Sequence, residues 1–226
     1  MAHRLLGRGL IKTKKKVDNL RQPFNYLLIL DFEATCEKNG AWKTPEIIEF
    51  PCIALNTKDW QIKDVFHQYV RPRINPILTP FCTELTGIMQ EMVDKQPYFP
   101  EVFHEFQNWL EQKGFLDEQN PSALVTCGDW DLRVMLPNQC TLDHLEIPKY
   151  CEQWINLKKS FCEATNYYPR SLVDMLLRLD ISHQGKLHSG LSDSQNMASI
   201  ITELQKRHNF IFTTTSINKI DVKTTT

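Results

Sequence analysis

The sequence lacks the features that mark a membrane protein, a disulfide framework or a zinc site. No apolar run approaches the ~20 residues that a membrane span needs, and the N-terminus has no apolar core of a secretory signal. The seven cysteines include no C-x-x-C pair, and their number is odd. We therefore expect an intracellular protein with reduced thiols, in the cytoplasm or the nucleus.

Charge is unevenly distributed along the chain. The 226 residues carry a net charge of −1, yet residues 1–22 hold seven basic side chains against one acid. We interpret residues 1–22 as a flexible basic arm that either meets a polyanion or is simply solvated. A mitochondrial presequence is a third alternative, which the low serine content of the arm disfavours.

Apolar patterning predicts one folded domain over residues 23–215, followed by a flexible tail over residues 216–226. Five strands are predicted, at Tyr26–Leu30, Glu46–Leu55, Val65–Val70, Ser122–Cys127 and Gln153–Leu157. Helices are predicted at 79–85, 100–114, 130–140, 158–165 and 172–179, and a last one from about Asp193, where Ser192 and Gln195 fit a capping box. This order predicts a mixed sheet with helices on its faces.

Two carboxylates follow the apolar stretch that ends at Leu30. Asp31 and Glu33 are two residues apart on an extended segment, so their side chains point to the same face. An ionised carboxylate at the end of a buried strand is costly unless it is paired. Clusters of carboxylate oxygens suit Mg²⁺ or Mn²⁺, and the alternative is one buried salt bridge beside one exposed acid.

Two further acids lie at predicted helix starts. Asp131 follows a buried strand in "TCGDWDL", and Asp193 lies in "HSGLSDSQN". Catalytic residues of sheet-based enzymes gather at such positions. The alternative for each is helix capping, in which an acid stabilises the first turn by about 0.3–1 kcal/mol.

Taken together, these segments resemble a known family. The stretches "LDFEATCE", "EIIEFP", "LTPFCTELTGI", "VTCGDWDL", "WINLKK" and "HSGLSDSQNMA" resemble, in this order, segments of the Eri-type branch of the DEDDh 3′–5′ exonucleases. That branch includes the histone-mRNA 3′-end exonuclease and an insect nuclease to which the chain looks closest. The resemblance covers roughly residues 24–215 and implies an α/β, ribonuclease H-like fold with a mixed five- or six-stranded sheet flanked by helices.

The resemblance also implies a reaction and a set of site residues. It implies hydrolysis of RNA from the 3′ end, with DNA as an alternative substrate, and release of nucleoside 5′-monophosphates. Two divalent cations, Mg²⁺ or Mn²⁺, would be held by Asp31, Glu33, Asp131 and Asp193. His188 would be the general base, because the unperturbed pKa of imidazole lies near neutrality.

Some of these assignments have competitors in the sequence. Asp129 competes with Asp131, and we choose Asp131 because the family pattern places the acid after the aromatic Trp130. Asp129 is interpreted as a helix cap. The remaining histidines are interpreted as surface or structural residues, including His67 and His183.

The segment "ELTGI" resembles the part of the family that lies against the terminal nucleotide. Thr86 and Gly87 would let the main chain approach the ribose hydroxyls. Leu85, Ile88 and Trp130 would pack on the last base. The alternative is that these apolar side chains belong to the core.

The expected partner is nucleic acid, with no membrane and no protein partner indicated, and we expect a monomer. About two dozen residues precede the first predicted strand, too few for a separate RNA-gripping domain, so specific stem-loop recognition is not expected. The alternative function is a catalytically weak module of the same fold that binds RNA ends.

Overall fold

A computed structural model of the chain describes residues 21–38, 40 and 44–218. Most of the predicted basic arm, residues 1–20, lies outside these described residues, as do positions 219–226 of the predicted tail. Within the described residues, no helix is long and apolar enough to cross a membrane.

The described chain begins with four strands, and helices and further strands follow. The strands are β1 (Tyr26–Leu30), β2 (Glu33–Ala34), β3 (Ile47–Asn56), β4 (Ile62–Tyr69), β5 (Ser122–Thr126), β6 (Gln153–Asn156) and β7 (Ser216–Ile217). The α-helices are α1 (Pro80–Thr86), α2 (Gln90–Val93), α3 (Phe99–Gln112), α4 (Leu136–Leu142), α5 (Leu157–Thr165), α6 (Leu172–Arg178) and α7 (Gly190–His208). A π-helical turn, Asp131–Met135, leads into α4, and a 3₁₀ turn, Lys149–Cys151, precedes β6.

All the strands join one mixed sheet. Neighbours run β2-β3-β1-β5-β6-β7, and β4 also pairs with β3. The strands β1, β5 and β6 are parallel, whereas β3 is antiparallel to β1, β2 and β4. Parallel strands end at the same edge of a sheet, so the carboxyl ends of β1, β5 and β6 lie together.

The central strand β1 is buried on both faces, which explains its continuous apolar sequence. Leu28 and Leu30 pack in a core cluster with α3 and α4, whereas Leu27 and Ile29 pack in a second cluster with α5, α6 and α7. This alternation sets the faces of the residues that follow. Phe32 joins the first cluster, so the flanking Asp31 and Glu33 face the side of α7.

The predicted mixed α/β sheet flanked by helices is confirmed, but the strand count is wrong. All five predicted strands are present, and the short strands β2 and β7 bring the sheet to seven rather than five or six. Each of these two strands has two residues, too few for a pattern of period two to show. They exist because β3 and β6 offer free ladder positions beside them.

The domain boundaries also shift. Ser216 and Ile217, which we assigned to the tail, pair with β6 as β7. At the other end, the side chain of Gln22, which we assigned to the arm, donates to the Phe210 carbonyl and accepts from the Phe212 N–H. The folded part therefore extends at least from Gln22 to Ile217.

Local capping signals located α1 correctly but misplaced α7. Thr79 caps α1 by accepting from Cys82 N at 3.0 Å, and Gly87 ends the helix in a left-handed conformation. In contrast, α7 begins at Gly190 rather than near Asp193, and its N-cap residue Ser189 makes no side-chain capping bond. The predicted capping box of Ser192 and Gln195 is therefore wrong.

Candidate active site

Asp31 and Glu33 stand at the carboxyl end of β1, where the strand is briefly interrupted. Leu30 pairs with Cys52 and Glu33 pairs with Glu49, so β2 resumes the line of β1 along β3 in the same register. Glu33 is 9% exposed, and Asp31 is half-buried. The sheet thus holds both carboxylates rigidly on the side of α7.

Asp131 reaches the same place from the carboxyl end of β5. It opens the π-helical turn, in which Leu136 N donates to the Asp131 carbonyl. The Leu132 carbonyl, which would accept that bond in a regular α-helix, instead accepts from Asn218 Nδ2 at 3.1 Å. The buried Asp131 side chain accepts from Phe32 N at 3.0 Å, which ties it to the segment between Asp31 and Glu33. Such π-helical turns occur frequently at functional sites.

Asp193 and His188 arrive together at the start of α7. His188 has a left-handed backbone with φ of 61°, and its N–H donates to Asp193 Oδ2 at 3.0 Å. Asp193 is 5% exposed, while His188 is open to solvent. A ring nitrogen of His188 and carboxylate oxygens of Glu33 and Asp193 all lie within 4.8 Å of one another. The structure therefore brings these predicted site residues together.

Burial and neighbouring negative charge raise the pKa of several of these carboxylates. Burial and then the charges of the neighbouring acids raise the pKa of Asp31 well above its ordinary value. The same causes raise the pKa of Glu33 to about 9, and the positive charge of Lys186 opposes that shift. Burial raises the pKa of Asp131 to about 6, although the hydrogen bond from Phe32 N–H lowers it.

This repulsion fits a site that binds cations. In the part of the chain that the structure describes, no basic side chain forms an ion pair with Asp31, Glu33 or Asp131. Carboxylate oxygens are the preferred ligands of hard divalent ions. The clustered carboxylates therefore supply both the negative charge and the oxygen ligands that divalent cations require.

A cavity of about 290 Å³ opens beside Glu33, and two of the predicted substrate-binding residues line it. Leu85 at the end of α1 lies on one side, and Trp130, which is 47% exposed, is also in the lining. An apolar surface next to an acidic cluster suits a nucleobase joined to a phosphate.

The other predicted substrate-binding residues of "ELTGI" do not line this cavity. Ile88 is 2% exposed in a core cluster, so the expectation that its side chain packs on a base is wrong. Thr86 is also buried, and its hydroxyl donates to the Cys82 carbonyl. Gly87 has φ of 80°, and the Lys186 side chain lies against it while donating to the Glu84 carbonyl.

Two residues at the site were missed in the sequence. Glu49, which is 2% exposed, accepts from Gly190 N and lies 2.8 Å from His67 Nε2. His183 Nε2 lies 3.2 Å from Asp193 Oδ1, so His183 is not a plain surface residue. A signal existed for Glu49, because it is an acid inside the apolar strand sequence "IIEFP" and a buried acid needs a partner. No local signal existed for His183.

Asp129 is not the helix cap that we expected. Its carboxylate accepts from Trp154 Nε1 at 3.1 Å, Lys159 Nζ at 3.2 Å and Arg133 at 3.1 Å, and also from the Ser216 hydroxyl. Burial acts to raise its pKa, but hydrogen bonds from Ser216, Asn156 and Lys159, together with the charge of Lys159, outweigh burial and lower the pKa to about 2. Asp129 thus ties α5, β6 and β7 together. We therefore assign it a structural role and not a place in the acid cluster.

Replacing Asp129 should therefore reduce stability and spare turnover. We expect Asp129→Ala to lower the free energy of unfolding by about 2–3 kcal/mol, because the fully buried Trp154 indole N–H loses its acceptor. Urea unfolding at pH 7 measures this loss, and Asp129→Asn, which keeps one acceptor oxygen, should lose less. A change in turnover per folded molecule as large as that of Asp131→Asn would contradict the assignment.

Known proteins resemble this chain over most of the length of its folded part. The family model RNase_T, described as "Exonuclease", matches residues 28–201. ERI1 exoribonuclease 3 of Homo sapiens is 48% identical over 196 residues, which are 86% of this chain and 58% of the relative. The 3′-5′ exoribonuclease 1 of Rattus norvegicus is 41% identical over 201 residues, covering 86% and 56%. The chain thus spans less than two thirds of the length of these curated relatives.

Solved structures give the same result. The nuclease domain of 3′hExo, described as a DEDDh family member bound to rAMP, superposes with a TM-score of 0.79 at 39% identity, covering 84% of this chain and 97% of that one. Cell-death related nuclease 4 (CRN-4) gives a TM-score of 0.81 at 29% identity, covering 87% and 69%. The nearer resemblance to an insect nuclease stays a prediction. By its family match, its relatives and its fold, the chain belongs to the exonuclease family, on the ERI1-type exoribonuclease branch.

Proposed function

We propose that this protein is a metal-dependent 3′–5′ exonuclease that removes nucleoside 5′-monophosphates from the 3′ end of RNA. The observation that carries the proposal is the convergence of four carboxylates and His188 beside a cavity lined by Leu85 and Trp130. The relatives named as 3′-5′ exoribonucleases support the direction of attack and the choice of RNA. DNA remains a second substrate of the same chemistry.

The exonuclease family implies divalent metal ions, and we propose two, Mg²⁺ or Mn²⁺. Asp31, Glu33, Asp131 and Asp193 would hold them, because these acids reach one point from three elements of the fold and repel one another otherwise. When bound, such ions activate water and stabilise the charge that develops on the attacked phosphate and the leaving oxygen.

His188 would accept the proton of the attacking water. Its ring lies within 4.8 Å of Glu33 and Asp193 oxygens, so it borders the space in which the phosphate must sit. Its exposure leaves the ring free to pass the proton on to solvent. The hydrogen bond from the His188 main-chain N–H to Asp193 Oδ2 would couple the position of the base to that of a metal ligand.

The terminal nucleotide would be held beside Glu33. Trp130 and Leu85 offer an apolar surface for the base, and contacts of this kind tolerate any base. Once the Lys186 side chain, which lies against Gly87, turns away, Gly87 would let the main chain at the end of α1 approach the ribose closely. The 2′-hydroxyl of that ribose distinguishes RNA from DNA.

The proposal is tested with RNA and DNA labelled at the 5′ end. We expect Mg²⁺-dependent shortening of the RNA one nucleotide at a time, with mononucleotide products, and no shortening in EDTA. A 3′-terminal phosphate or a circular RNA should resist. Binding of RNA ends without cleavage in Mg²⁺ or Mn²⁺ would overturn the proposal and favour the weak binding module instead.

Trp130 gives a separate test of how the base is held. Loss of one stacking contact is worth about 1–3 kcal/mol, so we expect Trp130→Ala to raise KM by roughly tenfold or more with little change in kcat. Trp130→Phe should keep most of the affinity. Val134→Ala, which removes another exposed apolar side chain from the same helical turn region, is the matched control. Equal KM values for all of these would count against stacking on Trp130.

A further inference from the structure

The first turn of α7 takes its hydrogen bonds from another strand. The first N–H groups of an α-helix have no acceptor within the helix, and Ser189 provides no side-chain cap. Instead Gly190 N donates to Glu49 Oε2 at 2.9 Å, and Leu191 N points to Glu49 Oε1 at 3.4 Å. A side chain of β3 therefore does what a local cap does in other helices.

Glu49 is itself held in place. It is 2% exposed, and His67 on the neighbouring strand β4 lies 2.8 Å from Oε1. The cost of burying this carboxylate is offset by the two amides, by the positive end of the α7 dipole and by His67. Both oxygens are thus occupied by groups other than those of the acid cluster.

Gly190 brings α7 into direct contact with the end of β1. A Cβ atom at this position would overlap the Asp31 carbonyl oxygen and would crowd Pro51 at 3.0 Å and Glu49 Oε2 at 3.3 Å. Any side chain here would push the start of α7 away from Asp31. Gly190, which has no side chain, and the Glu49 carboxylate thus both allow the start of α7 to lie against the end of β1.

We propose that Glu49 is a positioning residue for the reaction, which fixes the start of α7 against the end of β1. The inference rests on the proposed function. Asp193 lies three residues after Gly190, and its Oδ2 accepts the His188 N–H. A displacement of this helical turn therefore moves both Asp193 and His188 relative to Asp31 and Glu33, without removing any group that contacts the substrate.

The chain contains a matched control for Glu49. Glu46, three residues earlier, is also 2% exposed, and its carboxylate accepts from the N–H groups of Arg73, Ile74 and Asn75 in a loop. Glu46→Gln and Glu49→Gln therefore make the same chemical change at equal burial. They differ in which backbone the glutamate holds.

The test combines kinetics with amide hydrogen exchange. We expect Glu49→Gln to lower kcat by about 10–100-fold, as for other residues that orient metal ligands, with KM within about threefold of wild type. Exchange of the Gly190 and Leu191 amides should accelerate by about tenfold or more, measured without RNA and without metal. Glu46→Gln should leave both kcat and these two amides unchanged.

His67 variants provide the same test if Glu49→Gln does not fold. His67→Ala removes the group that orients Glu49 and should lower kcat by several fold with faster exchange at Gly190. His67→Gln, which can still donate to Glu49, should restore both.

The outcomes separate this inference from the proposed function. Unchanged exchange at Gly190 and Leu191 in the Glu49 variant, or equal kcat losses in the Glu49 and Glu46 variants, would overturn the positioning role. Failure of the wild-type protein to shorten RNA would overturn the proposed function, and the exchange data would still report whether Glu49 holds α7.

Discussion

Asp31→Asn should abolish RNA hydrolysis and, at the same time, make the metal-free protein more stable. Asp31 faces three other carboxylates of the site, and burial together with their charges raises its pKa well above the ordinary value. A metal ligand contributes several kcal/mol to the stabilisation of the transition state, so its loss should lower kcat by about 10³-fold or more. Removing one charge from the cluster also removes repulsion that the folded state alone experiences.

The stability change depends on pH in a definite direction. Acids whose pKa is raised in the folded state, such as Glu33 at about 9, bind protons there at pH values where the unfolded chain is already ionised. The metal-free fold is therefore most stable below pH 4 to 5 with respect to these groups, and it loses that stability as the pH rises toward 9. Bound Mg²⁺ should oppose the loss.

Thermal unfolding in EDTA and in Mg²⁺, from pH 5.5 to 9, measures both effects. We expect a higher Tm for Asp31→Asn than for wild type in EDTA at pH 8, at about 2–4 °C for each kcal/mol gained, and a smaller gain on adding Mg²⁺. Asp117→Asn, at an exposed position, is the control for loss of one charge. A lower Tm for Asp31→Asn in EDTA would mean that Asp31 is a structural group rather than part of a repulsive metal site.

His188→Asn should lower kcat by about 10²–10⁴-fold, which is the usual range for a general base, while substrate affinity and fold are kept. Asparagine is the sharper replacement than alanine because it tolerates the left-handed backbone that His188 adopts, with φ of 61°. The main-chain N–H of residue 188 can then still donate to Asp193 Oδ2, as it does in the wild-type protein. The variant thus removes the ring and leaves the main chain in place.

Chemical rescue identifies the role of the ring. Added imidazole should restore part of the activity of His188→Asn, because it supplies the missing proton acceptor. His104→Ala, on the exposed face of α3, serves as the control. Near-normal kcat in His188→Asn would remove the assignment of His188 as the base.

Predictions from local sequence succeeded where the physical cause is local. The strand β1 is apolar at every position because both of its faces are covered, and the spacing of Asp31 and Glu33 then places both acids on one face. The limits of α1 follow from Thr79 and Gly87, whose side-chain and backbone properties act within one turn. The choice of Asp131 over Asp129 came from family resemblance, because spacing alone favoured neither.

Predictions failed where the partner is distant in sequence. The start of α7 was misplaced because its cap, Glu49, lies 141 residues away from Gly190, and the "SDSQ" pattern offered a local substitute. Gly190 is the close contact between α7 and β1, and its neighbours along the chain do not indicate this role. Ile88 fits either a core or a base-stacking position by type, and only packing placed it in the core.

The sequence by itself determined the candidate acids and His188, the buried strand that carries Asp31 and the family to which the chain belongs, because these depend on residue type and order. The tertiary structure decided how the site is held: Asp131 against Phe32 N, His188 against Asp193, and α7 against β1 through Glu49 and Gly190. Those contacts depend on the distance between backbones far apart in the chain, and no local pattern encodes that distance.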